Sequence, residues 1–226
     1  MIIAERKPFK EIQEMVAPYG NVLIVGCGTC VAVCLAGGEK EVGLLAAQLK
    51  LARNLAGQAG RLGEITVERQ CDREFIEPLR EMAADYDAVI STACGAGVQF
   101  LAALVQEKPV FPALNTTFIG VNEAAGHYTE RCRSCHQCYL GITGGICPVT
   151  MCTKGLLNGP CGGTVAGKCE VDPERPCAWC EIFERLESQG RLGQIEAILP
   201  LHPHSRTTSP GTVIHPAYLR RYAAHE

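Results

Sequence analysis

The chain lacks any apolar run close to the ~20 residues that a membrane-spanning helix needs, so no transmembrane segment is expected. It lacks a basic excess. Its 21 Lys and Arg stand against 24 Asp and Glu, a net charge of −3, which argues against a nucleic-acid binder and against binding to anionic membrane surfaces. The opening stretch MIIAERKPFKEIQEM carries charge where a signal peptide needs its apolar segment. No G-x-x-x-x-G-K-[ST] motif is present, which excludes a P-loop, and there is no internal repeat or low-complexity tract. A cytoplasmic location is the expectation. With 47% hydrophobic and 20% charged residues, the 226-residue chain has the material for a buried core, and its length fits one large domain or a domain plus a smaller module. What the chain has in excess is cysteine, 14 residues of it. In a reducing cytosol that density points to metal ligation or catalysis rather than to disulfides.

The composition changes near residue 126. Before it, short β-branched runs alternate with amphipathic stretches. Residues 22–26 (VLIVG), 64–69 (EITVER), 87–92 (DAVIST) and 109–114 (PVFPAL) predict strands, the last at a sheet edge because Pro112 cannot donate to a ladder. Between them, 38–55 predicts a helix with Val42, Leu45, Leu49 and Ala52 on one face. Phe75, Ile76, Leu79 and Met82 mark a second helix with Pro78 in its first turn, and 98–105 marks a third. A short helix before Tyr19 completes the layer. Strand–helix alternation with short connections implies right-handed crossovers. The expected fold is therefore α/β, a Rossmann-like parallel sheet of about four strands over 1–126. A Cys-rich metal-cluster module over 127–180 follows, then a C-terminal helix and tail over 181–226.

Cys27, Cys30 and Cys34 follow the first strand as C-x2-C-x3-C, Cys71 lies just past the second, and Cys94 just past the third. Strand C-terminal ends of a parallel sheet share one edge, where ligands bind. The five thiols are therefore expected to converge, with four of them as ligands of a metal centre, either zinc or a further [4Fe-4S] cluster. The alternative reading of some of them as small buried hydrophobes applies most to Cys71. A dinucleotide reading has less to rest on. Gly26 and Gly28 give G-x-G after a strand and Glu68 is placed as a ribose acid, but Val31 stands where the third glycine belongs.

Residues 131–180 hold nine cysteines and eight glycines with few apolar repeats, a composition that needs metal to fold. Cys132, Cys135 and Cys138 form C-x2-C-x2-C, the spacing with which bacterial ferredoxins wrap a cubane, and Cys147 precedes a proline. With Cys152, Cys161, Cys169 and Cys177 they make eight thiolates, enough for two [4Fe-4S] clusters. Spacing leaves open which four share a cluster. Cys180, already inside a helix, is the spare. Zinc at four-thiolate sites is the competing assignment. The intervening glycines permit tight turns that bring backbone N–H groups towards sulfur. His136 reads as a donor to sulfur rather than a ligand, His127 as a surface residue, and His202 and His204 as part of an extended linker with no metal. The end of the chain, IHPAYLRRYAAHE, reads as a short amphipathic docking segment.

VLIVGCGTCVAVCLAGGEKEV, QCD, TACGAGVQ, PALNTTFIG and LNGPCGGTVAGKCEVDPERPCAW together resemble the methylenetetrahydrofolate reductase C-terminal domain family across residues 9–200. That family includes the small iron–sulfur and zinc-type subunit of the acetogen reductase. Cys180 departs from the family pattern, in which CAW is followed by another residue. The resemblance implies a non-catalytic subunit of an oxidoreductase complex. Its partner would be an FMN-containing TIM-barrel subunit that reduces methylene-tetrahydrofolate to methyl-tetrahydrofolate in the reductive acetyl-CoA (Wood-Ljungdahl) pathway of one-carbon metabolism. The implied role is electron transfer to that flavin from ferredoxin, an NADH module or a heterodisulfide-reductase-like complex. This chain is too short for a barrel of its own. The alternatives are a zinc-stapled structural adaptor without an electron-transfer role, and an independent enzyme with an open iron, against which full thiolate ligation argues. Within PALNTTFIG, Asn115, Thr116 and Thr117 read either as a turn or as a support beside the first cysteines. Phe118 and Ile119 read as interface residues if exposed.

Overall fold

The structure is a computed structural model that describes residues 1–201 and 211–222. His202, His204 and most of the expected linker lie outside the described residues. The chain divides into two compact units, Met1–Glu130 and Arg131–Glu226.

The first unit is built on a four-stranded parallel sheet. Its elements are β1 (Ile2–Arg6), α1 (Phe9–Val16), β2 (Val22–Cys27), α2 (Cys30–Val33), α3 (Glu39–Leu55), β3 (Leu62–Val67), α4 (Arg73–Ile76), α5 (Leu79–Ala84), β4 (Ala88–Ser91), α6 (Gly95–Leu104), β5 (Val110–Pro112), β6 (Leu114–Ala124) and β7 (His127–Cys132). The order β3-β2-β4-β5 puts β2 inside and β5 at an edge, as Pro112 requires. Strand β2 is buried along its whole length, and its residues alternate between two cores. Val22 and Ile24 pack with Ile12, Val42, Leu45, Leu49 and Ile90 under α1 and α3. Leu23 and Val25 pack with Ile76, Leu79, Val89, Leu101 and Leu104 under α4, α5 and α6. Each such side chain contributes about 1.5–3 kcal/mol by leaving water. Helix α3 opens on Gly38, whose N–H donates to the Glu41 carboxylate at 3.1 Å. It closes with buried Arg53 donating to the Gly20 and Tyr19 carbonyls at 2.7 and 2.9 Å. The helix expected around Pro78 is two short helices, because proline has no N–H to carry α4 through.

A second sheet, of order β1-β6-β7, was outside the expected fold. Strand β1 pairs antiparallel with β6, Ile2 opposite Ile119 and Arg6 opposite Leu114. Asn115, Thr116 and Thr117 are therefore strand residues, and the turn reading is corrected. Phe118 is half-buried against Ile3, Cys34, Leu114 and their neighbours, so its ring serves this core rather than standing free as an interface residue.

The second unit carries little regular structure: α7 (Pro148–Met151), α8 (Ala178–Ser188), a 3-10 turn at Leu192–Ile195, a second at Pro216–Tyr218 and α9 (Leu219–Tyr222). Its buried apolar cluster is Trp179, Ile182 and Leu186 on α8, lined by Ile146, Cys152, Leu156, Cys177 and Ile195. The Trp179 indole N–H donates to the Leu156 carbonyl at 2.9 Å, and the Thr143 hydroxyl bridges the Tyr139 and Ile146 carbonyls. No helix among the described residues is long and apolar enough to cross a membrane.

Candidate metal centres

In the first unit Cys27 ends β2, Cys30 opens α2, Cys34 closes it, Cys71 lies in the loop after β3, and Cys94 precedes α6. All five stand at or just past the C-terminal ends of β2, β3 and β4, which lie side by side in the sheet. The Cys71 thiol is pushed above its ordinary value, first by desolvation and then by the charges of Cys27, Cys94 and Cys30. Cys34 is buried among Ile3, Ala4, Val31 and Leu114, in the same cluster as Cys27, and its Sγ reaches the Ala4 and Val31 carbonyls at 3.6 Å each. Burial raises the Cys34 thiol despite the hydrogen bond to Ala4, and the charge of Cys30 adds to the rise. Its contacts are those of a small buried side chain packed under β1.

Several groups that the sequence reading passed over hold this edge in place. Gln70, fully buried beside Cys71, donates from Nε2 to the Val25 and Gly26 carbonyls at 2.8 and 3.0 Å and accepts from the Ser91 hydroxyl at 2.6 Å. It ties the Cys71 loop to the ends of β2 and β4. Its only sequence signal is its place next to a cysteine after a strand. Thr116 on β6 accepts the Gly95 N–H at 2.8 Å, one residue past Cys94. Thr92 donates to the Gly37 carbonyl at 2.8 Å and so fixes the loop after α2. A Cβ on Gly26 would lie 2.3 Å from Thr66 Oγ1 and 2.7 Å from Val42 Cγ2, so packing alone accounts for this glycine. Glu68 pairs with Arg69 at 2.9 Å.

In the second unit, Cys152, Cys161, Cys169 and Cys177 line one small cavity together with Thr164, Glu170 and Trp179. Cys161 Sγ reaches the Glu170 carboxylate at 3.4 Å, and Lys154 forms an ion pair with the same carboxylate. A Cβ on Gly163 would overlap that carboxylate. Cys169 Sγ lies 3.5 Å from the Thr153 hydroxyl. This hydroxyl, then the backbone N–H groups of Asp172 and Val171, hold the Cys169 thiol below its ordinary value. At Cys177, desolvation is outweighed by the N–H groups of Cys180 and Trp179 and by the side chains of Cys180 and Thr164, so that thiol too is lowered. Cys180 sits on α8 with its Sγ 3.5 Å from the Thr164 hydroxyl.

Cys132 ends β7, and Cys135 and Cys138 follow on a loop that changes direction at Ser134 and His136, both left-handed at φ 52° and 64°; Cys132 and Cys138 are exposed and Cys135 is half-buried. For residues other than glycine that conformation costs roughly 1–3 kcal/mol each. It aims the Ser134 N–H at Cys132 Sγ, 3.4 Å away, while Cys135 Sγ meets the Gln137 carbonyl at 3.3 Å. Cys147 caps α7, its Sγ 3.7 Å from the Thr150 hydroxyl. His127 and His136 are exposed. Among the described residues, no three His, Cys, Asp or Glu side chains are closed into a ligating arrangement. The donor set nonetheless fits a thiophilic metal. Four thiols border one cavity, the Ser134 N–H points at Cys132 Sγ, and at Cys169 and Cys177 the N–H two residues on helps to hold the thiol below its ordinary value.

Residues 111–205, somewhat under half of the chain, match the family described as methylene-tetrahydrofolate reductase C terminal. No curated protein and no solved structure matches the chain. The match takes in β5, β6 and most of the second unit, and relates this part of the chain to methylenetetrahydrofolate reductases.

Proposed function

We propose that the chain is the iron–sulfur electron-transfer subunit of a methylenetetrahydrofolate reductase complex, docking on a separate flavin-bearing subunit that performs the folate chemistry. The observation that carries this reading is the cavity bordered by Cys152, Cys161, Cys169 and Cys177. These four are the ligands of one [4Fe-4S] cluster, and Cys132, Cys135, Cys138 and Cys147 are those of a second. Cys27, Cys30, Cys71 and Cys94 hold a third centre, zinc or a further cluster, without Cys34. Bound clusters supply one-electron carriers. The chain's own residues ligate them, donate N–H groups from Ser134, Val171 and Trp179 to sulfur, and keep water from the sulfurs with Trp179 and its neighbours.

A second reading, a zinc-stapled adaptor, is favoured by how little apolar material the second unit buries, since structural zinc alone would replace that missing core. Iron, acid-labile sulfide and zinc per chain, measured on one anaerobic preparation, separate the two. About eight or twelve irons with equal sulfide, bleaching on reduction, match two or three cubanes. Zinc without sulfide removes the electron-transfer role.

A further inference from the structure

Cys180 is a thiol that the proposed ligand sets do not use, yet it is not a bystander. Cys177 caps α8 and Cys180 stands one helical turn on, a C-x2-C across the first turn of an eleven-residue helix. The Thr164 hydroxyl, which lines the same cavity as Cys177, lies 3.5 Å from Cys180 Sγ, so Cys180 stands on the flank of that cavity. Ala178 and Trp179 between them are buried, with Trp179 pinned to the Leu156 carbonyl, so both thiols are held at one edge of the site. Side chains three residues apart on a helix have Cβ atoms ~5–6 Å apart, and a disulfide needs ~3.5–4.5 Å, a difference that the end turn of a helix absorbs. Of the other thiols on the cavity, Cys161 is engaged with Glu170 and Cys169 with Thr153, while Cys152 lacks the i, i+3 helical spacing that ties Cys180 to Cys177.

We propose that Cys177 and Cys180 are a reversible dithiol–disulfide pair that closes when the cavity holds no metal and withdraws Cys177 from it. The effect on metal loading rests on the reading of Cys177 as a ligand; the disulfide itself does not. The oxidant is a low-molecular-weight disulfide such as oxidised glutathione. Cys177 sulfur attacks one of its sulfurs, and the first glutathione leaves as a thiol with the Cys177 proton. Cys180 sulfur then attacks the Cys177 sulfur of the mixed disulfide, and the second glutathione leaves with the Cys180 proton. Two protein thiols are oxidised to one S–S bond, and one glutathione disulfide is reduced to two thiols. Bound metal blocks the first attack by occupying the Cys177 sulfur.

The test uses the full chain, stripped of metal under anaerobic conditions, exposed to oxidised glutathione, alkylated and mapped by mass spectrometry. The expected result is a dominant Cys177–Cys180 disulfide, reversed by dithiothreitol and suppressed in the zinc-loaded chain. The oxidised chain takes up one zinc fewer than the reduced chain. The variant Cys180→Ala takes up zinc fully when reduced and, after oxidation, carries glutathione on Cys177. Mapping in denaturant supplies the random-pairing baseline. A pairing pattern equal to that baseline overturns the proposal, as does equal disulfide formation in the zinc-loaded chain. A Cys177–Cys180 disulfide confined to the stripped chain that leaves zinc uptake unchanged overturns instead the assignment of Cys177 as a ligand.

Discussion

The two units answer the same problem, paying for chain entropy, with different materials. The first sandwiches a parallel sheet between two buried apolar clusters and adds a third under β1 and β6. The second buries one face of α8 and surrounds it with turns and thiols. Ordering a residue costs on the order of 1–2 kcal/mol of backbone entropy, and across residues 131–201 the buried apolar side chains are few, Tyr139, Ala178, Trp179, Ile182 and Leu186. The difference teaches that the first unit has a core of its own under its cysteines. On the function proposed above, metal bound to the thiols would supply what the second unit lacks.

Stripping metal from the full chain is the harshest challenge to that contrast. Amide hydrogen exchange is expected to lose its protection across 139–176, with α8 keeping part of its own, while β2, β4 and α3 keep theirs. Equal loss in both units would erase the distinction. Single thiol changes sharpen it. Cys161→Ser is expected to remove one metal centre and leave the metal of the first unit, and Cys71→Ser does the reverse, as read by metal analysis on folded protein. Leu45→Ala attacks the first unit through packing. It should lower unfolding free energy by about 2–5 kcal/mol, seen in denaturant titration, with metal content unchanged. Gln70→Ala lies between the two kinds of change. It takes the Gln70 donor from the Gly26 carbonyl and the acceptor from the Ser91 hydroxyl, while the Val25 carbonyl keeps the Thr92 N–H, at a cost of about 1–3 kcal/mol, and frees the Cys71 loop, so metal affinity at the first site is expected to fall as well. The smallest effect belongs to Cys34→Ala, which should leave metal content untouched. In the metal-free wild-type chain Cys34 should alkylate more slowly than the more exposed Cys30 and Cys94 at neutral pH, since burial both shields its sulfur and raises its thiol.

The parallel sheet was legible because its strands are continuous β-branched runs with helices between them, each signal local to a few residues. The sheet of β1, β6 and β7 was not. Asn115 is a poor strand former that also favours turns, and the partners of Asn115, Thr116 and Thr117, namely Glu5, Ala4 and Ile3, lie more than a hundred residues away. Convergence of cysteines after β2, β3 and β4 followed from sheet topology, but spacing gave no hint of which side of the short α2 each thiol takes, and so could not separate Cys34 from Cys30. Gln70 was equally hidden, since its role is to reach backbone carbonyls of strands that the sequence keeps apart. In the second unit the cysteine count was plain. The sharing of one cavity by Cys152, Cys161, Cys169 and Cys177 required the turns in between.

The pairing of β1 with β6 also orders events in time. The chain leaves the ribosome at ~5–20 residues per second, and β1 emerges first but has nothing to bind until residues 114–119 follow. The β2–β3–β4 core has all its strands available earlier. During that interval the loop bearing Cys27, Cys30 and Cys34 is without the strand that later covers it through Ile3 and Ala4. The loop with its three thiols thus stays open until residues 114–119 are out, and β1 then closes over Cys34 and its neighbours.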